Sequence, residues 1–239
     1  MATFVQTNVG LYYGGYSLAS SFNAIALNLG NSPQDDTVYG DAFVSNASGL
    51  SSINLEAEGF WQSATDAVLE TSLGSDDTII SVTPVDQAAG SPSIFSKFTA
   101  STYNPISTGT VGSMMGFSLS AEGRGEKSVS GEILVKPSDT HTSSSVSPVN
   151  AAIGAVSATQ KIYSALHVIS ASGTLVVTVK SASNEAFSAD VTTELTHTSV
   201  GSSVTAEMLS AAGAITNAFW RVDFTVSGSY QFIVSLGII

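Results

Sequence analysis

The stretch LEAEGFWQSATDAVLETSLG, residues 55–74, changes its period half-way along. Up to Ala57 it alternates: Ile53, Leu55 and Ala57 fall on one side of an extended strand, and Asn54, Glu56 and Glu58 on the other. Beyond Trp61 the pattern becomes helical. Ser63 and Thr65 are candidate caps, and Asp66 suits a first turn. Ala67, Val68, Leu69 and Leu73 form an apolar side, and Gly74 stands where a C-terminal glycine belongs. The stretch therefore predicts a strand with two outward carboxylates running into one short helix.

Working outward, the composition favours strands and turns. Of 239 residues only 11% are charged, and Ala, Ser, Thr, Val and Gly fill the difference. A chain so poor in charge often covers much of its surface in an assembly. The net charge is −12 and is unevenly placed. Residues 1–96 contain no Lys or Arg but hold Asp35, Asp36, Asp41, Glu56, Glu58, Asp66, Glu70, Asp76, Asp77 and Asp86. The first cation is Lys97, and from there nine acids face seven bases. Binding to nucleic acid through a basic patch is excluded on this pattern. The absence of cysteine excludes disulfides, thiolate metal sites and cysteine nucleophiles. No run has the length and apolarity of a membrane-spanning helix. MATFVQTNVG lacks the basic region and apolar core of a signal peptide, so none is expected.

Strand signals recur along the chain: DDTIISVTPV at 76–85, IFSKFTASTY at 94–103, MMGFSLSAEGR at 114–124 and KSVSGEILV at 127–135. PSDTHTSSSVSPVN, 137–150, reads as a long loop or linker. Beyond it, KIYSALHVIS, GTLVVTVKSA, DVTTELTHTS, AFWRVDFTVSG and YQFIVSLGII are further strands, and 203–215 could hold a short helix. The expected architecture is all-β, with two packed units. A β-sandwich or barrel spans 1–136 with one short helix, 137–145 is a linker, and 146–239 is a second β-sandwich.

Catalytic patterns are thin. His141, His167 and His197 are scattered without metal-ligand spacing, and no metal or other cofactor is expected. His167, within an apolar strand, reads as a structural histidine. Asp139, His141 and Ser143 lie close in sequence, but a linker cannot preorganise a triad. The pairs Asp35–Asp36 and Asp76–Asp77 stand at strand entrances, where turn chemistry and edge protection are the plain explanation. Trp220 and Tyr230 are the aromatics that could stack on a sugar, although burial base rates favour a core role for both.

DDTVYGDAFVSNASGLSSINLEAEGFWQ (35–62), followed by the capped helix, resembles the tail tube (major tail) proteins of long-tailed bacteriophages. The matching features are the run Asp35 to Asp41, Gly49–Leu50, and the acidic strand ending in Gly59–Phe60–Trp61. GFSLSAEGRGEKSVSGEIL looks like a later part of the same domain. The strands of 158–182 and 219–238 look like the C-terminal half of longer phage structural proteins. The resemblance implies a non-enzymatic virion protein forming stacked rings, usually hexameric, through which DNA passes without specific binding. Copies of the same chain and other tail proteins would be its partners, with no membrane involved and with synthesis in the host cytoplasm. An acidic lumen is also implied, for which Asp35, Asp36, Asp41, Glu56, Glu58, Asp76 and Asp77 are the candidates, and Glu56 and Glu58 face either that lumen or a neighbouring subunit. Segments that order on contact, such as residues 1–8 or 107–113, would join the rings. A capsid decoration or other minor virion protein and a carbohydrate-binding module displaying Trp220 are the alternatives, with a glycan-directed enzyme last.

Overall fold

The computed structural model describes residues 8–39, 42–108, 111–125 and 127–239, and of Ser107 and Thr108 it describes the backbone alone. Its strands are β1 (Gly10–Tyr13), β2 (Tyr16–Ser17), β3 (Phe22–Asn31), β4 (Gln34–Asp35), β5 (Asn46–Ala47) and β6 (Ser51–Phe60). After the helix α1 (Ser63–Ser72) come β7 (Thr78–Thr83), β8 (Pro92–Thr108), β9 (Gly116–Gly123), β10 (Val129–Val135) and β11 (Ser145–Val146). The remaining strands are β12 (Lys161–Ala182), β13 (Thr192–Thr196), β14 (Thr205–Ala212) and β15 (Phe219–Ile238). The fold is all-β with one short helix among the described residues, as the composition predicts.

The chain forms two compact units, but the division does not follow the sequence order. One unit comprises Met1–Ser20, Thr78–Ser96 and Val129–Ile239, and the other Ser21–Asp77 and Lys97–Ser128. The expected linker 137–145 separates nothing: it lies within the first unit. His141 exchanges both backbone hydrogen bonds with Tyr230, at 2.8 and 3.0 Å, and β11 pairs with β15. A Ser- and Thr-rich segment reads as solvated linker only while its backbone partners are unknown.

In the first unit the strand order is β13-β12-β15-β10-β8-β7-β1-β2, with β14 on β12 and β11 on β15. Its centre is the antiparallel pair β12–β15, paired from Ile162–Ile238 to Ala182–Phe219 with one register shift between Val168 and Ser170. Sequence reading divides each of these into two strands at a glycine. In the fold Gly173 and Gly228 instead pair across the ladder, and both strands run on. Leu166, Val168, Val177, Trp220, Tyr230 and Phe232 form the largest core cluster, all fully buried or nearly so. Residues 203–215, a candidate helix by sequence, contain strand β14. Pairing with Lys161–Val168 and burial of Met208 against Ile79, Phe95, Val129 and Ala165 override the local helical tendency.

In the second unit β3, β6, β9 and β8 form a sheet in that order. Its buried side carries Leu55, Ala57, Phe117, Leu119, Ala121, Ala100 and Tyr103. Helix α1 covers this side with Leu69, fully buried, and Thr65. The Tyr103 hydroxyl donates to Asp66 in the first helical turn at 2.5 Å. Gln62, not Ser63 or Thr65, occupies the N-cap position. Thr65 is turned inward instead, its hydroxyl 2.7 Å from that of Ser21. Gly74 follows the helix with a φ of 70°, the left-handed conformation expected of it.

Candidate functional site

The outward side of the β3-β6-β9-β8 sheet carries the predicted acids of residues 55–58. Alternation on β6 is as the sequence implies: Ile53, Leu55 and Ala57 are buried, and Glu56 and Glu58 are exposed. The register defines their surroundings. Glu58 lies between Ala24 of β3 and Ser118 of β9, and Glu56 between Ala26 and Ser120. Ser118 and Ser120 in turn face Asn104 and Thr102 of β8. The residues next to the carboxylates are Ala and Ser, with Thr and Asn one strand further on. Among the described residues neither Glu56 nor Glu58 has a cation within 4 Å. Two residues apart on one strand, the two carboxylates stand roughly 7 Å from each other.

A further acid on this side, Glu122, is not among those the sequence singles out. It pairs with Asn54 of β6 and Thr99 of β8 and is exposed. The signal is present, since Phe117, Leu119 and Ala121 occupy the buried phase and leave Ser118, Ser120 and Glu122 on the other.

The other candidate acids lie elsewhere in the unit. Asp35 is the end of β4, paired with Asn46, and accepts hydrogen bonds from the Thr37 side chain at 2.5 Å and backbone N–H at 2.9 Å. These bonds, the side-chain one foremost, hold its carboxyl below the ordinary range. Asp36 is exposed beside it, its N–H bonded to the Ser45 carbonyl. Asp41 lies outside the described residues. Asp76 and Asp77 do have a cation: Arg124 forms an ion pair with Asp76 and approaches Asp77 at 3.8 Å. The partners are far apart along the chain, which hides the pairing from a sequence reading. Asp35 and the Asp76–Asp77 pair are thus engaged in turn and end contacts, and Glu56, Glu58 and Glu122 are the acids that share one open sheet surface.

Trp220, the candidate exposed aromatic, is fully buried, and its indole N–H donates to the Gly154 carbonyl at 2.8 Å. The reason is phase, because Trp220 falls on the same side of β15 as Val222, Phe224 and Val226. Tyr230 is equally buried, its hydroxyl donating to the carbonyls of Val200 and Gly201. Neither ring can stack on a sugar. Phe60 and Trp61 are the pair that reaches the surface, at 41% and 37% exposure.

The histidines are structural. His167 lies between the Ser81 hydroxyl and the Gly14 carbonyl, 2.6 Å from each. Burial pushes its imidazole down to about 4, against a smaller upward pull from the Gly14 carbonyl. Ser164, His197 and Glu207 have hydrolase-triad distances, 2.9 Å from Ser164 Oγ to His197 Nε2 and 2.8 Å from His197 Nδ1 to Glu207. Ser164 and His197 are sealed inside the sheet, however, and no substrate carbonyl could reach the hydroxyl. No group of three or more His, Asp or Glu side chains among the described residues is arranged to hold a metal.

No protein-family model matches the chain, and no curated protein matches it. Solved structures do show similarity. A chain of the virion of a native gene transfer agent particle is 12% identical with a TM-score of 0.37, over 44% of this chain and 82% of that one. A chain of the tail of an empty gene transfer agent particle with C6 symmetry is 10% identical with a TM-score of 0.36, over 45% and 80%. The SPP1 Dit protein (gp 19.1), described as a paradigm of the hub adsorption apparatus of phages infecting Gram-positive bacteria, is 9% identical with a TM-score of 0.37, over 98% and 100%.

Proposed function

We propose that this chain is a non-enzymatic structural subunit of a phage tail, assembling into stacked rings, with six copies as the expected number, around a DNA conduit. The observation that carries the reading is the open sheet surface of the second unit, where Glu56, Glu58 and Glu122 stand among Ala, Ser, Asn and Thr. DNA adheres where Lys and Arg displace its counterions. A surface of unpaired carboxylates on small side chains does the reverse, and a duplex slides past it. The resemblance of residues 35–62 to tail tube proteins adds the ring. The low charge content adds the expectation of a surface largely covered by its own copies.

On this reading the β6 surface lines the channel, the partners are further copies and other tail proteins, and the chain resides in the virion without membrane contact. The edge strand β3, FNAIALNLGN, supports self-association. Among the described residues it pairs only with β6, and it carries no charge and no proline, the usual protections of an exposed edge. The carbohydrate-binding alternative has lost its aromatic with the burial of Trp220. Electron microscopy of the purified protein tests the proposal: rings or tubes whose inner wall contains β6 are expected. A persistent monomer, or rings with β6 on the outside, would overturn it.

A further inference from the structure

Arg221, Asp223 and Thr225 are the outward phase of β15, alternating with the buried Trp220, Val222, Phe224 and Val226. Arg221 and Lys180 are direct partners on the β12–β15 ladder. Two cations so placed repel each other, and Asp223 bridges them. Its Oδ1 accepts from Arg221 Nε at 2.6 Å, and its Oδ2 accepts from Arg221 Nη2 at 3.2 Å and from Lys180 Nζ at 2.7 Å. The guanidinium lies over the Phe187 ring, 4.3 Å from its centroid. Phe187 has a φ of 51°, which a side-chain-bearing residue seldom adopts. Its loop is held in place by hydrogen bonds: Asn184 Oδ1 accepts from the Ser188 N–H, Asn150 donates to the Glu185 carbonyl, and Asn217 donates to the Asp190 carbonyl. The row Phe187–Arg221–Asp223–Lys180 is therefore fixed in advance of any ligand. Across the ladders Asp223 faces Thr178 of β12 on one side and Val146 of β11 on the other. An open groove of about 360 Å³ follows β15 between them.

We infer that this groove binds a neutral saccharide through a pair of adjacent ring hydroxyls. An ammonium has three donors, so Lys180 keeps some beyond the one given to Asp223, and Asp223 Oδ1 keeps a lone pair beyond the one facing Arg221. One ring hydroxyl donating to Asp223 and its neighbour accepting from Lys180 would complete both. Charge decides the class of ligand. A carboxylate or phosphate would meet Asp223, and an amine would meet Lys180 and Arg221. A neutral diol is donor and acceptor at once, which suits a site holding both signs. The hydroxyls of Thr178, Thr225 and Ser145 line the same groove, and Val146, 44% exposed, offers an apolar wall to ring C–H groups. The volume falls within the range of small-ligand sites. Hydrogen bonds to ionised partners are about twice as strong as neutral ones, so the site does not depend on an aromatic platform such as the buried Trp220. The inference goes beyond the ring reading and does not rest on it, because one copy of the first unit carries the complete groove.

A glycan array probed with the full chain tests this, printed with neutral hexose and N-acetylhexosamine oligosaccharides beside uronic and phosphorylated ones. Neutral members should be retained, and periodate, which cleaves vicinal diols, should abolish their retention. In titrations with the best-retained oligosaccharide, Lys180→Met should weaken binding at least tenfold and Thr225→Val at least threefold. Both variants should keep the wild-type melting transition, since Asp223 still has Arg221 as a partner and Thr225 is exposed. Lys161→Met, the same exchange at the exposed start of β12, should bind as wild type does. Retention of anionic glycans alone, retention of none, or wild-type affinity in both groove variants would overturn the saccharide site and leave the ring reading standing. A chain that stays monomeric yet binds neutral glycans through Lys180 would remove the ring reading and leave this one.

Discussion

Gly173 and Gly228 are direct partners across the β12–β15 ladder, with φ of 99° and 122°. A Cβ on Gly173 would lie 1.6 Å from the Ser227 carbonyl oxygen, and one on Gly228 would lie 1.8 Å from that of Ser172. Each obstacle is backbone and cannot swing aside. The pair is what lets strands of 22 and 20 residues continue through this point. Replacing either glycine by alanine combines backbone strain with overpacking, so a loss of about 3 kcal/mol or more is expected. Urea denaturation of Gly173→Ala and Gly228→Ala measures it, and a loss below about 1 kcal/mol would contradict the geometry.

The buried His167 makes the first unit acid-sensitive. Its folded-state value of about 4 lies below the ordinary 6.5, so between these values the unfolded chain holds the extra proton. Stability from the neutral imidazole is therefore complete above pH 6.5, falls as the pH drops towards 4, and is fully lost below that. A shift of this size corresponds to about 3 kcal/mol. His197, also lowered by burial against the opposing pull of Glu207, acts in the same direction. The wild type should lose more stability than His167→Gln on going from pH 7 to pH 4, and identical pH profiles for the two proteins would exclude the effect.

Charge reversal at Glu56 and Glu58 should separate folding from the proposed function. Glu56 and Glu58 are exposed and have no ion-pair partner among the described residues, so Glu56→Lys with Glu58→Lys is expected to change stability by no more than about 0.5 kcal/mol. On the proposed reading, virions carrying the double variant should eject DNA more slowly than wild type. The difference should be greater at low salt, where the new attraction is less screened. Ejection at the normal rate in low salt would place these acids outside the conduit.

A fragment of residues 146–239 should not melt cooperatively. It contains β12 to β15 but lacks β10, which pairs with β15 from Gly131–Gly237 to Val135–Val234. It also lacks Leu134 and Val135, both fully buried in the core cluster around Trp220. Residues 8–20, 78–96 and 129–239 belong to one unit, so a chain joining these three segments is the smallest expected to fold as the first unit does. Scanning calorimetry of the fragment decides the matter, and a sharp transition would show that the C-terminal strands are self-sufficient.

Much of the local structure is legible from the residues alone. Period-two alternation puts Ile53, Leu55 and Ala57 inside and Glu56 and Glu58 outside, because a strand offers its side chains only two directions. The switch of period after Trp61 and the left-handed Gly74 delimit the one described helix for the same local reason. Matters that depend on partners distant in sequence are not legible. The pairing of Arg124 with Asp76 and Asp77, the Gly173–Gly228 crossing and the strand conformation of 205–212 each join residues tens of positions apart. Segment 137–145 is folded rather than linking because Tyr230, some ninety residues away, supplies the backbone bonds of His141. Periodicity tells each residue which way to face. Only the closing of the sheets determines what it meets there, since that depends on which strands become neighbours.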